Sequence, residues 1–156
     1  MKAAVLSAVS MTASVAAADR VCRALALSGG GSNGAWEAGV LWGFLNYGNP
    51  ADFEWEVVTG VSAGAINSLA ISGWKPGTEL DMVQWLSDLW HNLHTSDVWQ
   101  DWSTGRADAW FIMGGAVDNS PLLPFLKSVM APYSDYGRKV TIASTEVNAG
   151  VYTEFD

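Results

Sequence analysis

Apolar positions along the chain change their period in a fixed order. Val21 to Leu27 is a short run of strand character that ends in three glycines, and from Gly34 onward Ala35, Ala38, Gly39, Trp42 and Leu45 recur at the spacing of one helix face. The order then repeats: FEWEVVTG reads as a strand, Ser62 as a turn, and AGAINSLAIS as a helix ended by Gly73 and Pro76. Two strand–turn–helix units in succession predict a parallel sheet with right-handed crossovers. Its strands point their carboxyl ends at one rim, where both glycine turns sit.

Further along, TELDMVQWLSDLWHNL places Met82, Leu86, Leu89, Trp90 and Leu93 on one stripe, which predicts an amphipathic helix with Thr78 and Asp81 as its capping box. Thr95 to Asn119 carries Trp99, Trp102 and Trp110 with little periodicity and reads as a long, partly ordered loop. SPLLPFLKSVM reads as a short helix with Ser120 at the cap and Pro121 at the first position. RKVTIASTEV and VYTEF read as strands joined by a turn at Asn148 to Gly150. No repeat, low-complexity tract or linker interrupts the pattern.

The opening twenty residues follow a different logic. Lys2, an apolar small-residue stretch from Ala3 to Ala17, and AAAD fit a secretory signal peptide over residues 1–18, cut after Ala18; a buried N-terminal helix is the competing reading. Residues 19–156 then form one domain, expected outside the cell or in the lumen of the secretory pathway. No later segment offers 18 uninterrupted apolar residues. Eight Lys and Arg against 16 Asp and Glu leave a net charge of −8, which disfavours nucleic acid or an acidic lipid surface as an electrostatic partner. Cys22, the single cysteine, has no internal partner and is expected to pack as a small hydrophobe in the first strand.

Two stretches carry chemistry. In GVSAGAINS, Ser62 stands between Gly60 and Gly64 after a β-branched run and before a helix. Such a strand-to-helix turn holds a hydroxyl clear of the backbone at a helix N-terminus, where developing negative charge is favoured. Side chains at positions 60 and 64 are expected to collide across the turn. GGGSNG, Gly29 to Gly34, supplies the complement, because consecutive glycines turn backbone N–H groups toward one point and build an oxyanion site without a charged side chain. Gly29, Gly31 and Gly34 also satisfy G-x-G-x-x-G, a dinucleotide fingerprint. Where that reading needs an acid at a strand end, however, Tyr47 to Ala51 form a turn, with Asp52 and Glu54 only loosely placed.

His91 and His94 lie three apart on the amphipathic helix without a third ligand of matching spacing, so they read as partly exposed helix residues and no metal site is expected. Trp42, Trp55, Trp85 and Trp90 sit in regular elements and read as packing. Trp99, Trp102 and Trp110 remain divided between packing and a lipid interface.

With these residues in view, the sequence resembles the patatin-like phospholipase family. The resemblance rests on GGGSNGAWEAGVL and GVSAGAINS, with weaker agreement at DNSPLLPFL and TIASTEVNAG, and runs from about Leu25 to the chain end. It implies a three-layer α/β/α fold with a mainly parallel central sheet, and a serine lipid acyl hydrolase of phospholipase A or esterase type that needs no cofactor. It further implies that Ser62 is the nucleophile, that the backbone of Gly29, Gly30 and Gly31 forms the oxyanion hole, and that Gly34, Gly60 and Gly64 are motif glycines. Its substrate would be a lipid or other ester at a membrane or micelle surface.

Two departures stand out. Asn33 occupies the place where the family has Arg or Lys. The family's catalytic aspartate lies in an Asp-Gly motif, and no Asp-Gly dipeptide occurs here. The domain is therefore expected to be incomplete at the C-terminus, with the aspartate of the Ser-Asp dyad outside this chain, and residues 1–156 alone are expected to be inactive or nearly so; Asp156, at a strand end, is a poor stand-in. The alternatives are a catalytically inactive lipid-binding or vestigial protein and a nucleotide-binding α/β domain.

Overall fold

The computed structural model describes residues 21–105, 115–130, 132 and 136–156. The leader and Trp110 lie outside them. The chain runs β1 (Ala24–Leu27), a 3-10 turn (Gly31–Asn33), α1 (Gly34–Tyr47), a second 3-10 turn (Pro50–Phe53), β2 (Val57–Val61) and α2 (Ala63–Ser72). It continues through α3 (Glu79–Asn92), α4 (Thr95–Val98), α5 (Leu122–Met130), β3 (Lys139–Glu146) and β4 (Val151–Phe155). The strands form one sheet in the order β1-β2-β3-β4. The first three are parallel, and β4 returns antiparallel through a turn at Gly150, which has φ 65°. The fold is α/β, a mainly parallel sheet flanked by helices, as the two strand–turn–helix units predict.

Register assigns the faces. Leu25 is level with Val58 and Leu27 with Gly60, while Val58 and Gly60 are level with Val140 and Ile142, so these six residues share one face of the sheet. Leu27 and Val58 on that face join Ala38, Leu41 and Leu45 of α1, Ala70 and Ile71 of α2, and Met82, Val83 and Leu86 of α3 in a single core. Trp55 is buried in it, and Trp42, Trp85 and Trp90 pack against it, which assigns these four rings to packing. Trp99 and Trp102 are half-buried, the latter donating through Nε1 to the Gly115 carbonyl at 2.9 Å.

Several local expectations are corrected. β1 starts at Ala24, and Cys22 is exposed ahead of it. The second strand starts at Val57, not Phe53: Pro50 opens a 3-10 turn through Phe53, whose ring stacks on Phe44 at 5.3 Å and lies 6.0 Å from Trp55. Aromatic packing thus claims residues whose alternation suits a strand. Thr78 does not cap α3 with its side chain; its hydroxyl donates to the Lys75 carbonyl at 2.7 Å, and Glu79 Oε2 accepts the Gly77 N–H at 2.8 Å. Ser120 is not the side-chain cap of α5 either, because its hydroxyl donates to Asp118 Oδ2 at 3.0 Å. The segment read as a loop contains α4 and an antiparallel bridge between Gln100 and Asp118.

Candidate active site

The parallel register decides what meets at the rim. Leu27 pairs with Gly60, so continuing both chains by two residues brings Gly29 level with Ser62. The contact is close: a Cβ on Gly29 would lie 3.1 Å from Ser62 Cβ and 3.8 Å from Ser62 Oγ. The hydroxyl and the first residue of the glycine loop, 33 positions apart in sequence, therefore form one surface feature.

Ser62 takes φ 57° and ψ −123°, the only non-glycine residue among those described with positive φ. An L-residue held there costs on the order of 1–3 kcal/mol. The surrounding structure enforces it. A Cβ on Gly60 would run into the Gly64 backbone and come within 2.6 Å of Ser68 Oγ, while one on Gly64 would lie 2.5 Å from the Ser28 carbonyl oxygen and 2.6 Å from that of Leu27. The missing side chains let α2 descend directly onto the ends of β1 and β2, and the chain must reverse at Ser62 to enter it. The Ser62 carbonyl accepts the N–H groups of Ala65 and Ile66 at 3.0 and 3.2 Å, the first bonds of the helix, and the Ser62 side chain stays exposed.

The glycine loop crosses the same rim. Gly31 has φ 57° and open space where a Cβ would be, and Gly34 is packed against Trp90, whose Cζ2 is 2.5 Å from the position a Cβ would take. The space beside Gly30 is filled by Asn33, whose Cβ would be 3.1 Å away. Trp36, 72% exposed, forms one wall of a hollow of about 310 Å³ with Ser28, Gly29, Asn33 and Glu37. Neither Trp36 nor Glu37 is singled out by motif spacing.

Glu37, Asn67 and Trp90 tie the two turns together from behind. Glu37 Oε1 accepts the Ser28 N–H at 2.8 Å and Oε2 accepts Asn67 Nδ2 at 3.0 Å. Asn67 Nδ2 also donates to the Gly34 carbonyl at 3.1 Å, and Asn67 Oδ1 accepts Trp90 Nε1 at 2.8 Å. A buried asparagine in a helix interior, where its propensity is poor, is the signal that marks this position in the sequence.

The remaining candidates fall elsewhere. His91 is exposed at the end of α3, whereas His94, expected on the same helix, lies beyond its end as the exposed N-cap residue of α4, facing Asp97 at 3.7 Å. No metal-binding group of His, Cys, Asp and Glu occurs among the described residues. Asp156 accepts the Thr141 hydroxyl at 2.7 Å, and Thr141 is level with Thr59, three residues or about 10 Å short of Ser62. Asp52 and Glu54 precede β2, at the end of the strand opposite the glycine loop, so a dinucleotide reading lacks its acid at the rim. Asp118, in the DNSPLL stretch, has its carboxyl held below the usual range by hydrogen bonds from the Gln100 side chain and from the Ser120 backbone and hydroxyl.

Searches of curated proteins and of solved structures each return no match. The family model described as patatin-like phospholipase matches residues 25–142, about three quarters of the chain, and spans β1, both glycine turns and the start of β3. The chain therefore belongs to the patatin-like phospholipase family, hydrolases that act on lipid substrates.

Proposed function

We propose that the protein is a serine lipid acyl hydrolase in which Ser62 is the nucleophile and the Gly29–Gly31 backbone stabilises the oxyanion. The observation that carries this reading is the strained Ser62 backbone with Gly29 against it, since strain of this kind persists where the surroundings over-determine it and clusters at reacting groups. Ser62 Oγ attacks the ester carbonyl carbon and gives its proton to an aspartate, and backbone N–H groups of the glycine loop hold the developing oxyanion. Collapse expels the alcohol, which takes that proton. Water then attacks the acyl-serine with the aspartate again as base, releasing the acid and restoring Ser62.

The aspartate of this dyad lies outside residues 1–156 on this reading, which follows from the absence of any Asp-Gly dipeptide. The neutral Asn33 beside the loop favours esters without an anionic head group near the reacting carbonyl, since a phosphate there gains no ion pair. Residues 1–18 act as a secretory leader.

Labelling of a version extended through the Asp-Gly motif with an alkyl fluorophosphonate, followed by mass spectrometry, tests the reading. Modification of Ser62, together with hydrolysis of a short-chain p-nitrophenyl ester that Ser62→Ala abolishes, is the expected result. A protein that binds lipid vesicles but neither labels nor hydrolyses would instead be a vestigial, lipid-binding member. That second reading draws on the absence of any Asp-Gly dipeptide in the sequence.

A further inference from the structure

The oxyanion loop and the nucleophile stand on different strands, and nothing in a pair of glycine turns fixes the distance between them. Glycine-rich backbone is the most flexible available, yet a displacement of about 1 Å in such a site costs on the order of a hundredfold in rate. A device that holds the loop is therefore required.

We propose that Glu37 and Asn67 are positioning residues that set the glycine loop against Ser62. The inference rests on the acyl-hydrolase reading above. One carboxylate serves both arms of the site: Oε1 receives the N–H of Ser28, the residue before Gly29, and Oε2 receives Asn67, five residues beyond Ser62 on α2. Asn67 is fully buried, and each of its polar atoms is used: Nδ2 reaches Glu37 and the Gly34 carbonyl, at the two ends of the first turn of α1, and Oδ1 takes the Trp90 indole from α3. The loop's entry at Ser28 and its exit at Gly34 are thus both pinned to the helix that begins at Ser62.

The chemistry suits the task. A carboxylate accepts from two N–H donors at once, and such charge-assisted bonds are about twice as strong as neutral ones. Glu37 sits in the first turn of α1, where the helix dipole favours its charge. Both carboxylate oxygens are engaged by donors from the two arms of the site. No other residue described bridges the two turns through side-chain hydrogen bonds.

The test compares steady-state hydrolysis of p-nitrophenyl butyrate, fluorophosphonate labelling of Ser62 and amide hydrogen exchange at Ser28 to Gly31 in the wild type and in Glu37→Gln, both extended through the Asp-Gly motif. The glutamine keeps one acceptor but turns an NH2 group toward that of Asn67. The expected result is a 10- to 100-fold lower kcat with KM within about twofold, slower labelling, faster exchange across the loop and a little-changed Tm. Wild-type kcat and exchange in Glu37→Gln would overturn the proposal, as would a fall in kcat that merely tracks Tm. Should Glu37→Gln fail to fold, Trp90→Phe, which removes the indole donor to Asn67 together with the ring edge packed on Gly34, decides it: a several-fold loss in kcat at constant KM, beyond what the change in Tm accounts for, supports the role, and a kcat that is unchanged or merely tracks Tm overturns it. If the wild type neither hydrolyses nor labels, the hydrolase reading fails on its own, and the exchange rates alone decide whether Glu37 holds the loop.

Discussion

Arg138 Nη2 donates to Glu79 Oε1 at 2.8 Å with both side chains buried, joining the residue just before β3 to the start of α3. The same guanidinium donates to the carbonyls of Trp55, Trp74 and Lys75, while Glu79 Oε2 accepts the Gly77 N–H, so the ion pair is hydrogen-bonded from every side. It closes the end of the sheet opposite Ser62. Arg138→Met would leave the buried Glu79 carboxylate without its counter-charge and strip the guanidinium donors from the Trp55 and Trp74 carbonyls, and is expected to destabilise by about 3–5 kcal/mol. Adding Glu79→Leu should recover part of that loss, because the uncompensated charge then disappears. Urea unfolding followed by tryptophan fluorescence checks both.

Ser62→Gly is expected to raise stability by about 1 kcal/mol while abolishing hydrolysis, since glycine adopts positive φ without the penalty that serine bears. Ser62→Ala should abolish hydrolysis with stability unchanged to within about 0.5 kcal/mol, because alanine keeps both the Cβ and its strain. Thermal unfolding of the two variants beside the wild type separates lost chemistry from relieved strain.

Glycines of similar appearance should respond in opposite directions. Gly64→Ala drives a methyl to 2.5 Å from the Ser28 carbonyl oxygen, a backbone atom with nowhere to go, and is expected to cost about 1–3 kcal/mol. Gly39→Ala, within α1 and with open space around the added methyl, should stabilise by about 0.5–1 kcal/mol. Denaturant midpoints of the two variants provide the comparison.

Acid should loosen the Asp118 turn before the core. The Asp118 carboxyl is held below its ordinary range by bonds from Gln100 and Ser120, so the charged form is preferred in the folded state. Its contribution is complete above the unfolded value of about 3.9 and is lost as pH falls through the lower folded value. Amide exchange at Ser120 should accordingly accelerate, relative to core amides, as pH falls below about 4. In Asp118→Asn that protection should already be reduced at pH 5 and change little on acidification.

Much of this fold is legible in the order of residues. α2 at Ala63–Ser72 and β4 at Val151–Phe155 match the apolar patterns residue for residue, because period and turn chemistry act over a few neighbours at a time. The demand for glycine at position 60 is equally local, set by the backbone of Gly64 across the turn, whereas that at position 64 comes from the Leu27 and Ser28 carbonyls at the end of β1 and not from a collision across the turn. What the sequence could not decide is which of several competent partners a polar or aromatic group takes. Glu79 bonds Arg138, 59 residues away, as well as the local Gly77 N–H, Phe53 leaves its strand to stack on Phe44, and Asp156 is drawn to Thr141 on the adjacent strand. The Glu37–Asn67 bond spans 30 residues and exists only because the 33-residue offset between β1 and β2 brings Gly29 level with Ser62. Strand register is a property of the assembled sheet, settled by the core face as a whole, and until it is set no local preference specifies that contact.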